Sequence, residues 1–175
     1  MLKYILMGGV LLIAAVLIFA ATRPDTFRVQ RTTDIAAPPD KIFSRINDLN
    51  HWAAWSPWEK KDPKMQRSHR GAASGQGAVY EWEGDSNVGK GSMEIVQSSP
   101  PSRVMIKLDF VKPFEAHNMV EFMLEPKGDS THVTWSMTGD VPYFAKIVHL
   151  FFDMDSMVGK DFEAGLASLK SLTES

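Results

Sequence analysis

The chain has no cysteine. Disulfides, thiolate nucleophiles and Cys-ligated metals are therefore excluded, and the composition selects no redox compartment. Charge of one sign is not in excess either: 19 Lys and Arg stand against 21 Asp and Glu, a formal net charge of −2. A protein that grips a phosphate backbone needs a basic face, so no nucleic-acid partner is expected. The basic residues are scattered and form no polybasic lipid-binding patch. Internal repeats and low-complexity segments are absent. The five histidines, His51, His69, His117, His132 and His149, share no metal-ligand spacing. No metal and no cofactor are expected. The pairs Gly75/Gly77 and Gly89/Gly91 open no helix and read as turns or bulges between strands, not as phosphate loops.

What is present divides at Thr22. From Tyr4 to Ala21 the chain carries neither charge nor proline. A run of about 18 apolar residues is near the lower limit for a helix crossing a ~30 Å hydrocarbon layer. Residues 1–23 are therefore expected to be a transmembrane helix, and the protein a single-pass membrane protein. A cleaved signal is the rival reading, but the run exceeds the usual 7–15-residue core, and Ile18 or Phe19 would fall at the −3 position. Arg23, Arg28 and Arg31 favour a cytoplasmic domain by charge, a rule that binds weakly when a whole domain follows. The side of the membrane stays open.

Residues 24–175 amount to about 150 residues, enough for one domain with its own core. Phe27–Ile35 reads as a strand. A helix opens at Pro39-Asp40 and runs to about Asp48, with Ile42, Phe43 and Ile46 on one face. Leu49–Trp58 is a short second helix or turn set, stopped by Pro57, and presents Trp52, Trp55 and Trp58 near one side. Six segments with period-two alternation follow: Lys64–Arg70, Ala78–Glu83, Gly89–Gln97, Arg103–Phe110, Glu115–Glu125 and Thr131–Thr138. Short alternating runs joined by tight turns, such as Lys127-Gly128-Asp129-Ser130, make an antiparallel meander with one buried face. From Tyr143 to Leu172 the apolar residues Met154, Met157, Val158, Phe162, Leu166, Leu169 and Leu172 recur every three to four positions. This is a helix whose stripe must cover the buried face of the sheet. The expected class is α+β: a curved antiparallel sheet of about seven strands around a long C-terminal helix.

The order of elements, and motifs within them, resemble the START-like (SRPBCC) superfamily with its helix-grip, or Bet v 1-like, fold. The likeness is to its polyketide cyclase/dehydrase-like branch of membrane-anchored bacterial proteins. It is carried by Ile35-Ala36-Ala37-Pro38-Pro39-Asp40-Lys41-Ile42-Phe43, Asn47-Asp48, Trp52-Ala53-Ala54-Trp55-Ser56-Pro57-Trp58, Gly75-Gln76-Gly77-Ala78, Trp82-Glu83-Gly84 and Val88-Gly89-Lys90-Gly91. Pro113-Phe114, Thr131-His132-Val133-Thr134-Trp135 and Gly159-Lys160-Asp161-Phe162-Glu163 complete it. The resemblance implies an apolar ligand, such as a lipid, sterol, polyketide or quinone, held between sheet and helix. Only some members are enzymes, so activity does not follow from the fold.

Alternation places Tyr80, Trp82, Met93, Ile106, Leu108, Phe110, Asn118, Val120, Phe122, Val133, Trp135 and Met137 on the buried face. For most of them a packed core is the plainer reading. As a ligand site they would form an apolar wall with a few polar handles. Asn118 is the one amide there, and it must bond either neighbouring backbone or a ligand. Trp52, Trp55 and Trp58 are expected to form a lid over the grip or a foot on a lipid interface. Glu81 and Glu83 face solvent, and Asp153, Asp155 and Asp161 read as a cap or solvated face. Three functions remain open: a membrane-tethered binder of a hydrophobic molecule or lipid, a cyclase- or dehydratase-type enzyme using Tyr80 or Asn118 for proton chemistry, and an interaction domain with a filled core.

Overall fold

The computed structural model describes residues 2–150 and 153–175. Seven strands form one antiparallel sheet, in the spatial order β1-β7-β6-β5-β4-β3-β2. They are β1 Thr26–Ile35, β2 Gln66–Gly71, β3 Ala78–Glu83, β4 Lys90–Ser99, β5 Arg103–Lys112, β6 Ala116–Lys127 and β7 Ser130–Asp140. The sequence patterns placed all seven, with ends moved by a residue or two. Only β1 departs from nearest-neighbour order, and it pairs with β7 to seat the chain's first strand beside its last.

The helices are α1 Leu2–Ala21, α2 Pro39–Ile46, α3 Trp58–Lys61, α4 Tyr143–His149 and α5 Met154–Glu174, with a 3-10 helix at Leu49–Ala54. Ile42, Phe43 and Ile46 of α2 are buried, as their spacing requires. Pro57 does not stop a helix. It precedes α3, a position where proline's missing N–H removes nothing the helix needs.

Two expectations are corrected. The first concerns the C-terminal segment, which is not one helix over 143–172. α4 ends at His149, and Asp153 caps the start of α5 by accepting a hydrogen bond from the Asp155 N–H. Residues 151 and 152 of the expected span lie outside the described residues.

The second concerns membrane crossing. Among the described residues no helix is long and apolar enough to cross a membrane. The expected transmembrane anchor and single-pass localisation are therefore overturned. The end of α1 is used for packing instead. Ala20 is buried, and the Tyr143 hydroxyl of α4 donates to the Leu17 carbonyl at 2.7 Å.

Candidate functional site

Strand register arranges the concave face in rows. One row reads Tyr80, Met93, Leu108, Asn118, Gly139, Phe27 across β3 to β1, each residue paired with the next. Beside it, toward the β3–β4 and β5–β6 turns, lie Trp82, Gly91 and Phe110. On its other side come Ile95, Ile106, Val120, Met137 and Val29, and then Val104, Phe122, Trp135 and Arg31.

Burial changes along this series. Ile106, Val120, Phe122, Trp135 and Met137 are buried, whereas Met93, Phe110 and Phe27 are only partly so. The position of α5 gives the reason. Arg31 donates to Asp155, in the first turn of α5, at 2.9 Å and to Glu163 at 2.6 Å. At its other end Glu174 accepts from the Ala36 N–H at 2.7 Å. The helix therefore starts over the Trp135 row and runs toward the end of β1. The Tyr80 and Trp82 rows lie beyond its N-terminus.

Under α5 the interior is filled with aromatic rings. Trp135 stacks on Phe162 with centroids 4.1 Å apart and 9° between planes. Phe122 packs at 4.8 Å from Trp135, and Trp55 and Trp58 meet it edge-on at 5.6 and 5.8 Å. Trp52 and Trp55 are buried in this cluster, with their indole N–H groups donating to the Ile46 and Arg45 carbonyls. Both belong to the core: three-residue spacing along the 3-10 helix and its C-cap puts them on one side, and that side faces the sheet. Trp58 alone is partly exposed.

A charged cluster closes the lateral edge. Tyr80 donates to Glu59 Oε1 at 2.6 Å, and Arg67 donates to Glu59 Oε2 at 2.6 Å. Burial, reinforced by the hydrogen bond to Glu59, holds the Tyr80 phenol well above its usual ionisation range. Lys61 meets Asp161 of α5 at 2.6 Å, so α3 bridges the sheet edge and α5. Glu59 was missed at the sequence level because nothing in a four-residue helix predicts that its carboxylate is nine-tenths buried.

The concave face also holds unsatisfied groups. Trp82 Nε1 donates to the Val88 carbonyl at 2.9 Å. Trp135 Nε1 is buried without a partner among the described residues. The side chain of Asn118, 9 % exposed, makes no hydrogen bond to the described residues. It lies over Gly139, where an added Cβ would overlap Asn118 Oδ1.

Two depressions are present. One of about 320 Å³ is lined by Lys107, His117, Asn118, Met119, Thr138 and Gly139, among others. The other, about 170 Å³, lies among Leu49, His69 and Ala73. No cluster of three or more metal-ligating side chains occurs among the described residues.

A curved sheet gripping a C-terminal helix, with an apolar concave face, defines a helix-grip domain of the SRPBCC type. The chain belongs to the family described as polyketide cyclase / dehydrase and lipid transport, whose sequence model matches residues 26–174. No curated protein matches the chain in sequence. Among solved structures it resembles a Chromobacterium violaceum protein at 16% identity and TM-score 0.59, covering 87% of this chain and 99% of that one. A Nitrosospira multiformis protein is similar at 18% identity and TM-score 0.60, covering 84% and 96%. The di-domain aromatase/cyclase BexL from the BE-7585A biosynthetic pathway is similar at 14% identity and TM-score 0.61, covering 90% of this chain and 53% of BexL. At these identities the likeness establishes fold alone.

Proposed function

We propose that this protein binds a hydrophobic small molecule or lipid on the part of the concave face that α5 leaves uncovered. The wall is Trp82, Met93, Leu108, Phe110 and Asn118, with Phe27 at its margin and Tyr80 at its edge. The observation that carries the reading is the change in burial between rows: Met93, Phe110 and Phe27 stay partly exposed beyond the start of α5, whereas Phe122 and Trp135 of the sheet beneath it are buried. Ile106, Val120 and Met137 support this wall from the next row. Phe122 and Trp135 form the floor of the filled half rather than contacts for a ligand. Each square ångström of apolar ligand removed from water contributes about 25 cal/mol.

The decisive experiment is titration of the purified protein with N-phenylnaphthylamine, a neutral apolar fluorophore, combined with native mass spectrometry for a co-purifying molecule. Saturable binding that Phe110→Asp abolishes is the expected result. Absence of binding would favour a second reading, an interaction domain, for which the aromatic filling under α5 speaks. The cyclase-type alternative separates from binding through Tyr80→Phe, which leaves a binder intact and removes turnover from an enzyme that uses the phenol.

A further inference from the structure

The polar groups of the concave face divide into those with partners and those without. Tyr80, Trp82, Trp52 and Trp55 all donate to protein acceptors. Thr131 and Thr173, also buried, donate to the Ala37 and Leu169 carbonyls. The cations bordering the interior are paired as well. Arg31 is held by Asp155 and Glu163, Arg67 by Glu59, Lys61 by Asp161 and Lys146 by Asp25. His69 packs at a tilt against Tyr80 at the opposite edge, four strands from Asn118. On this face two neutral groups make no hydrogen bond to the described residues: the Trp135 indole N–H, which is fully enclosed, and the carboxamide of Asn118, a residue that is 9 % exposed and whose amide atoms keep contact with solvent. Trp135 is enclosed by the aromatic cluster. Asn118 sits in the row beyond α5, between Leu108 and Gly139.

An amide that stands in an apolar wall and makes no protein hydrogen bond offers a free donor and acceptor, which a ligand atom can engage in place of water. A carboxylate or phosphate brought to the same place would need a cation, and the two that line the depression with Asn118, Lys107 and His117, are both held by Asp109. Resting on the reading above, we propose that Asn118 is the polar recognition point of the site. It selects a neutral, oxygen-bearing apolar ligand (alcohol, ketone or amide) over an anionic one. Gly139 is part of the device, because any side chain there would displace the amide.

The test is displacement of N-phenylnaphthylamine from the full chain by dodecanol, dodecanone and dodecanoate at about pH 8, where the acid is ionised. The expected result is that dodecanol and dodecanone displace the probe at concentrations about ten-fold below dodecanoate. Asn118→Leu should weaken the alcohol and the ketone about ten-fold more than it changes the affinity for N-phenylnaphthylamine, so the comparison is made within each variant. Asn118→Ser, which keeps a small polar group, provides a second variant if the leucine variant does not fold. Equal or tighter binding of dodecanoate overturns the proposal, as does an alcohol affinity indifferent to both substitutions. If the wild-type protein does not bind the probe at all, the binding function falls and this inference with it. The two failures are therefore distinct.

Discussion

Trp135 of β7 and Phe162 of α5 stack face to face, 4.1 Å between centroids, and join the strand to the helix at the centre of the molecule. Both are essentially fully buried. Phe162→Ala removes one ring from a packed cluster and should cost about 3–5 kcal/mol of unfolding free energy. Urea denaturation followed by tryptophan fluorescence measures it, and a loss under 1 kcal/mol would mean that the cluster repacks.

Gly165 is the contact that lets α5 approach. A Cβ there would lie 2.7 Å from Trp135 Cζ3 and 3.1 Å from Pro57 Cδ. Gly165→Ala should therefore destabilise by about 1–3 kcal/mol, although alanine is the better helix former. Thermal unfolding of the variant checks the sign.

Glu59 is the acceptor for both Tyr80 and Arg67. Tyr80→Phe removes one bond and leaves the carboxylate paired, at a cost of about 1 kcal/mol. Arg67→Met leaves a largely buried carboxylate with only a phenol for company, and should cost about 3 kcal/mol. Tyr80 is ionised less readily folded than unfolded, so its contribution is fully present below pH 10 and is lost as pH rises through its raised folded value. Ultraviolet titration should show one tyrosine resisting ionisation above pH 10, and Glu59→Gln should make it ionise earlier.

His117 lies 2.7 Å from Asp109 and 3.3 Å from Glu115. Its hydrogen bond to Asp109, aided by the charges of Asp109 and Glu115, raises its proton affinity above the usual histidine value of 6.5. The stabilisation is complete below pH 6.5 and disappears as pH rises through the raised folded value. Melting temperature should fall slightly over that interval, and His117→Gln should flatten the profile.

Arg31 ties β1 to the first turns of α5 through Asp155 and Glu163, and its guanidinium fills the space beside Gly159. Arg31→Met should lower the melting temperature at low ionic strength and matter less at high salt, because the pairs are partly exposed. Hydrogen exchange confined to the start of α5 would place the loosening there.

Strand identity was legible because period-two alternation is a local signal. Arg103–Phe110 shows it almost without interruption, and the concave-face residues from Tyr80 to Met137 follow from it. The break between α4 and α5 was not legible, since the apolar stripe continues across it and the decisive cap, Asp153, reads equally well as a solvated acid. The buried role of Trp52 and Trp55 and the acceptor role of Glu59 were hidden for another reason: both depend on what a short helix meets across the fold. What the N-terminal run meets was not legible either, since the Tyr143 hydroxyl that donates to the Leu17 carbonyl comes from 126 positions away.

By itself, the sequence determined the strands, their two faces and the turns between them, because neighbouring residues alone set those. Only the tertiary structure decided where α5 begins along the sheet, which rows it fills with aromatic rings and which it leaves open. That boundary is set by contacts between residues more than a hundred positions apart, Arg31 with Asp155 above all, and no local pattern encodes them.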